Sequence, residues 1–168
     1  MLTYRKLSHP QVTSYYDSNL VGCPDTRVCT LGYVYLLCGG AISWRSQKSD
    51  LPFGSTMMAE YVACYEASIQ GTWLRNFVSQ LGSLSFISKP LTVYCDNEAA
   101  TFFSKHDRIT KGSKHMDLKY LLLKQVKLKK IVVESISTDL QVADIFTKWL
   151  PHKTFQAHTE SMGLEDNS

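Results

Sequence analysis

The chain has 168 residues, 44% hydrophobic and 20% charged, with a formal net charge of +3; this predicts one domain with a real core and argues against a disordered chain. No apolar run reaches the roughly 18–20 residues that cross a bilayer as a helix, and Met1-Leu-Thr-Tyr-Arg-Lys6 has no apolar stretch of the secretory kind. Five cysteines, an odd number with no Cys-x-x-Cys pair, indicate neither a disulfide framework nor a zinc site, so the expected setting is intracellular and reduced.

Residues 1–10 are polar, end in His9-Pro10 and read as a leader outside the domain. Gln11 to Tyr16 has strand propensity and runs into Asp17-Ser18-Asn19. Gly32 to Cys38 is rich in β-formers, Gly39-Gly40 is a hairpin signal, and Ala41 to Ser46 alternates as the return strand. These three strands form a meander with no room for a helix between them. Ser49 to Gly54 is a loop, and Ser55-Thr56 offers an N-cap to a helix reaching about Leu81. On that helix Ala59, Val62, Ala63, Trp73, Leu74, Phe77, Val78 and Leu81 fall on one apolar stripe. Gly71 interrupts it at a cost of about 1 kcal/mol relative to Ala.

Pro90 opens a strand over Leu91–Cys95, and Asn97 to about Lys105 reads as a short helix. A further helix is predicted from Lys114 to about Leu128, with Leu118, Leu121, Leu122 and Val126 inward. Ile131 to Ile136 is a strand. A last helix, about Leu140 to Trp149, is expected to bury Val142, Ile145, Phe146 and Trp149 and to end at Pro151, leaving 151–168 as a tail. The order β-β-β-α-β-α-α-β-α predicts an α/β fold: a five-stranded mixed sheet, three strands as a meander and then two parallel strands, flanked by helices. Lys105 to Lys130 holds nine basic and two acidic residues, against nine basic and thirteen acidic elsewhere. An acidic body with one basic segment suggests a phosphate-rich partner, although a solvated helix face would read the same way.

Four carboxylates stand where this fold would let them meet. Asp17 follows the first strand and Asp96 the fourth, so parallel neighbours would set both at one end of the sheet, the usual ligand rim of open α/β sheets. Taken alone, Asp96 also reads as the N-cap of the next helix. Glu60 lies one turn inside the long helix and Asp144 lies on the last one; singly, each reads as a surface helix acid. Four acids converging without lysine partners would repel unless divalent cations neutralised them, and oxygen ligands of this kind suit Mg²⁺ or Mn²⁺.

The motifs Tyr16-Asp17-Ser18, Gly39-Gly-Ala-Ile-Ser-Trp44, Ser55-Thr-Met-Met-Ala-Glu-Tyr61, Trp73-Leu-Arg75, Tyr94-Cys-Asp-Asn97, Lys114-His-Met-Asp117 and Ala143-Asp-Ile-Phe-Thr-Lys148 follow one another over nearly the whole chain. In that order the chain resembles the RNase H domain of copia-type LTR retrotransposon Pol polyproteins, plant members especially. The resemblance implies an RNase H-like fold over 11–150, preceded by the remnant of a reverse transcriptase tail. It implies a catalytic and metal-binding set of Asp17, Glu60, Asp96 and Asp144. The implied activity is cleavage of the RNA strand of RNA–DNA hybrids with two Mg²⁺ ions, Mn²⁺ substituting, in reverse transcription. The implied partners are the hybrid and a reverse transcriptase domain fused in cis, with no small-molecule cofactor and no membrane. The basic segment falls where cellular RNases H bind the hybrid, so Lys105, Lys111, Lys114, His115, Lys124 and Lys127 are expected phosphate contacts. Ser18 and Asn97 are expected donors to 2′-hydroxyls.

Three positions depart from the family pattern. Asn19 stands near where relatives often have a second acid, and Met58-Ala59-Glu60 replaces the common Glu-Ala-Glu. Ser137-Thr138-Asp139 lacks the histidine that cellular RNases H carry before the last Asp; His115 is the candidate replacement. Two alternatives stay open: a decayed or co-opted fragment that binds nucleic acid without cutting, and an integrase- or transposase-like core on the same fold.

Overall fold

The computed structural model describes residues 1–5, 12–20, 28–53, 55–80, 90–98 and 130–165. The helix expected over 97–105, from residue 99 on, and the whole of that expected over 114–128, and with them Lys105, Lys111, Lys114, His115, Lys124 and Lys127, lie outside the described residues. Five strands, β1 (Val12–Asn19), β2 (Val28–Leu37), β3 (Gly40–Pro52), β4 (Leu91–Cys95) and β5 (Ile131–Ser135), form one sheet in the order β3-β2-β1-β4-β5. The β1–β2 and β2–β3 pairs are antiparallel, whereas β1–β4 and β4–β5 are parallel. This is the predicted meander followed by two parallel strands. The β2–β3 turn is built on Cys38 and Gly39, with φ of 54° and 77°, the left-handed pair of a tight hairpin whose twist suits the flanking strands. β3 continues to Pro52, beyond its predicted end at Ser46.

Strand alternation divides the core in two. Leu31, Tyr33 and Tyr35 of β2, Tyr16 of β1, Leu91, Val93 and Cys95 of β4 and Ile131 and Val133 of β5 face helix α1 (Thr56–Gln80). Val34 and Leu36 of β2 face the other way and pack with Val142 and Met162 near the end of the chain. The described cysteines are free thiols, and among the described residues no helix is long and apolar enough to cross a membrane.

α1 starts where Ser55 predicts it, the Ser55 hydroxyl accepting the Met58 N–H at 3.3 Å. Its buried residues include Glu60 and Tyr61 in the first turns, the small residues Ala59, Ala63, Cys64, Ala67, Ser68 and Gly71, and then Leu74 and Val78. Trp73 and Phe77, expected in the core, are instead exposed and stack on each other with centroids 5.3 Å apart. Their spacing fits the stripe, but the face that meets the sheet runs through Ala67, Gly71, Leu74 and Val78, and Trp73 and Phe77 stand to one side of it. At Gly71 an added Cβ would sit 2.2 Å from Leu91 Cδ2 and 2.6 Å from the Tyr35 hydroxyl, which itself donates to the Ala67 carbonyl. Ala normally gains about 1 kcal/mol over Gly in a helix, whereas overpacking a core costs about 1–3 kcal/mol. Gly71→Ala is therefore expected to lose up to about 2 kcal/mol of stability in urea melts despite its better propensity.

The end of the chain differs from expectation. No α-helix spans 140–149; two 3-10 turns, Thr138–Leu140 and Val142–Phe146, take its place. Between them Gln141 is fully buried and its side-chain amide donates to the Tyr16 carbonyl at 2.9 Å. A regular helix would carry that amide off the sheet. Val142 is buried as predicted, Ile145 and Phe146 are partly buried, and Trp149 is fully exposed. Pro151 ends this segment but also caps a helix of ten residues, α2 (His152–Ser161), inside the stretch read as a tail. Residues 1–5, read as part of a leader, close on the same region. Leu2 bridges Leu164, the Thr3 N–H donates to the Gly163 carbonyl at 2.7 Å, and the Arg5 N–H donates to the Cys38 carbonyl at 2.9 Å. Both described termini are thus tied to the β2–β3 hairpin.

Candidate active site

The parallel register of β1 and β4 builds the site. Tyr15 pairs with Tyr94, so the residues two further along, Asp17 and Asp96, leave the sheet level with each other and on one face. Asp17 is the sixth residue of β1 and not its successor, and it pairs with Gly32 of β2. An added Cβ at Gly32 would lie 2.7 Å from Thr147 Cγ2 and 2.8 Å from Phe146 Cβ. That missing side chain lets the second 3-10 turn settle onto β2 beside Asp17 and bring Asp144 over the rim. Carboxylate oxygens of Asp17, Asp96 and Asp144 come within 4.8 Å of one another, with Asp17 and Asp144 buried and Asp96 half-buried.

Glu60 approaches from the opposite face, on α1. Its Oε1 accepts two hydrogen bonds from Ser18, from the backbone N–H at 3.1 Å and from the hydroxyl at 2.8 Å. Its Oε2 lies 3.8 Å from the Cys95 thiol. Of the four acids, three gather on one side of the sheet end, and Glu60 sits buried at the other, joined to β1 through Ser18. Asn97 follows Asp96 half-buried at the end of β4.

Two neighbours of Asp144 escaped the sequence reading. The Thr147 hydroxyl donates to Asp17 Oδ2. The Lys148 ammonium lies 3.6 Å from the same oxygen and 2.9 Å from Asp144 Oδ1. The acids do have a lysine partner, which corrects the expectation that none is present. The signal was available: Thr147 and Lys148 stand three and four residues after Asp144, within one helical turn. Asn19, at the place of an expected acid, donates through its amide to the Thr147 carbonyl at 3.1 Å and so braces the same turn.

The electrostatics follow from burial. Desolvation raises the Asp17 carboxyl from 3.8 to about 6; Thr147 and Lys148 pull it down, and Asp144 and Asp96 push it up. Glu60 is raised from 4.5 to about 8 by burial and then by the charge of Asp17, against the Ser18 hydroxyl. Asp144 is also raised by burial, with Lys148 offsetting part of the shift. Among the described residues one lysine meets the cluster, fewer positive charges than carboxylates. Asp144 Oδ1 is buried, and its close partner is the Lys148 ammonium at 2.9 Å. Three carboxylates whose oxygens converge within 4.8 Å form an all-oxygen donor set that fits a hard divalent cation such as Mg²⁺ or Mn²⁺.

The raised carboxyls set a pH dependence. Asp17 and Glu60 hold protons more tightly folded than unfolded, so their contribution to stability is complete below about pH 4 and is lost as pH rises through about 6 and then about 8. In EDTA, Tm is expected to fall from pH 5 to 8.5, and Glu60→Gln is expected to flatten the upper part of that slope. Thermal melts of both proteins across the range check it.

No protein-family model matches the chain. It is 34% identical over 161 residues to the retrovirus-related Pol polyprotein from transposon TNT 1-94 of Nicotiana tabacum, covering 95% of this chain and 12% of that polyprotein. It is 32% identical over 152 residues to the corresponding polyprotein from transposon RE2 of Arabidopsis thaliana, covering 90% of this chain and 10% of the other. The chain therefore spans about a tenth of the length of these curated relatives. Among solved structures it resembles LC11-RNase H1, crystallised in complex with an RNA/DNA hybrid: TM-score 0.58 at 18% identity, over 82% of this chain and 94% of that one. The chain thus has the RNase H fold and aligns along nearly its whole length with one segment of the retrovirus-related Pol polyproteins of plant transposons.

Proposed function

We propose that the chain hydrolyses the RNA strand of RNA–DNA hybrids with divalent cations, as the ribonuclease H step of retrotransposon reverse transcription. The observation that carries this reading is the convergence of Asp17, Asp96 and Asp144 at the rim of an RNase H-fold sheet, with Glu60 buried behind it. Asp17, Asp96 and Asp144, with Glu60, would hold the cations. When bound, a pair of Mg²⁺ ions supplies an activated water and charge stabilisation at the leaving 3′-oxygen. The protein's part is positioning. β1 and β4 set two carboxylates level, Gly32 admits the third, Thr147 orients Asp17, and Ser18 orients Glu60. Lys105, Lys111, Lys114, His115, Lys124 and Lys127 are proposed to bind phosphates, and Ser18 and Asn97 to lie beside the RNA strand. In the longer polyprotein a reverse transcriptase domain in cis would share the hybrid.

A second reading, binding without cleavage, is favoured by one observation: Lys148 already pairs with two of the three clustered acids. Incubating the full chain with an end-labelled hybrid in Mg²⁺ and in EDTA separates the two. RNA fragments in Mg²⁺ alone support hydrolysis. An intact hybrid, bound with an affinity that falls steeply with salt, would select the second reading.

A further inference from the structure

Lys148 stands where the cation chemistry would take place. Its ammonium touches Asp17 Oδ2 and Asp144 Oδ1, one oxygen from each of two buried carboxylates of the cluster. Asp17 Oδ2 is shared with the Thr147 hydroxyl, and Asp144 Oδ1 is buried with the ammonium 2.9 Å away. A Mg²⁺ ion ligated by Asp144 Oδ1 sits at about 2.0–2.1 Å from it. Such an ion and an ammonium 2.9 Å from the same oxygen would be two positive charges a few ångströms apart, which repel. They would exclude one another. The lysine has a way out: its side chain is 31% exposed, and a four-carbon stem swings to solvent at little cost.

We propose that Lys148 is the resident cation of the acidic centre: its ammonium bridges Asp17 and Asp144 while no metal is bound, and competes with divalent cations for those oxygens. The inference rests on the metal-binding reading above and adds a function to it. The lysine keeps the acids together in the metal-free protein and weakens metal binding, so that the centre is assembled before the metal arrives.

The test is a calorimetric titration of the full, EDTA-stripped chain with Mn²⁺, on the unsubstituted protein, Lys148→Met and Lys148→Arg. Competition predicts that Lys148→Met binds Mn²⁺ about tenfold more tightly or better, and that Lys148→Arg, which keeps the charge, stays near the unsubstituted value. It also predicts that metal-free Lys148→Met melts at a lower temperature than the unsubstituted chain, the gap closing at saturating Mn²⁺. A purely structural lysine would give the opposite direction, because damage to the site weakens binding. Equal or weaker Mn²⁺ binding by Lys148→Met overturns the inference while leaving the metal site standing. No Mn²⁺ binding by any of the three overturns both. Should Lys148→Met prove too unstable to titrate, Lys148→Gln serves with the same expected direction.

Discussion

Asp96→Asn is expected to lower the rate of hybrid cleavage by on the order of a thousandfold while leaving the metal-free protein at least as stable as before. Asn keeps the size and shape of Asp at a half-buried position, so packing changes little. What disappears is one negative charge and one metal ligand. That charge raises the carboxyls of Asp17, Glu60 and Asp144, so removing it relieves repulsion in the absence of metal and Tm in EDTA should rise. Single-turnover cleavage and a thermal melt on the same preparation read both effects. Loss of activity with a higher metal-free Tm is the signature of a ligand. Loss of activity with a lower Tm would mark Asp96 as a structural helix cap, and unchanged activity would remove it from the centre.

The second large effect is expected at Gly32, which carries no chemistry of its own. Gly32→Ala places a methyl 2.7 Å from Thr147 Cγ2, 2.8 Å from Phe146 Cβ and 3.4 Å from the Ala143 carbonyl. The Phe146 Cβ cannot swing aside, so the 3-10 turn bearing Asp144 must lift. Overpacking of this kind costs about 1–3 kcal/mol, and a shift near 1 Å in a catalytic group costs about a hundredfold in rate. Cleavage by Gly32→Ala is therefore expected to fall about a hundredfold, more than its loss in urea stability would suggest. Adding Thr147→Ser removes one clashing methyl and keeps the hydroxyl that Asp17 accepts, so the double variant should recover part of the rate. A Gly32→Ala protein of undiminished activity would show that the turn does not depend on this contact.

These residues also show which parts of the molecule can be read from the chain alone. β4 is legible because five strand formers stand between Pro90 and the Asp96-Asn97 turn, and the observed strand, Leu91–Cys95, matches. The level placement of Asp17 and Asp96 follows from one parallel pairing and the two-residue period of a strand. The last helix was misread because Val142, Ile145, Phe146 and Trp149 do fall at three- and four-residue spacing. What overrides that period is tertiary: the Gln141 amide on the Tyr16 carbonyl and the Thr147 hydroxyl on Asp17 hold tight turns where an α-helix would carry both away. Trp73 and Phe77 show the same limit, since spacing finds an apolar stripe on α1 but not which face of the helix meets the sheet. Pro151 reads equally as a stop and as a helix start, and only the packing of Met162 into the core decides for the start. Lys148 was hidden for a different reason. A search for converging acids passes over the cation that their convergence requires.

The most direct test of the proposed activity labels the RNA strand and the DNA strand of one hybrid separately and follows both in Mg²⁺ with the full chain. The account predicts that the RNA strand is cut internally, leaving 5′-phosphate and 3′-hydroxyl ends, that the DNA strand stays intact, and that EDTA stops the reaction. Cleavage of the DNA strand, or cutting of RNA that persists in EDTA, would contradict it.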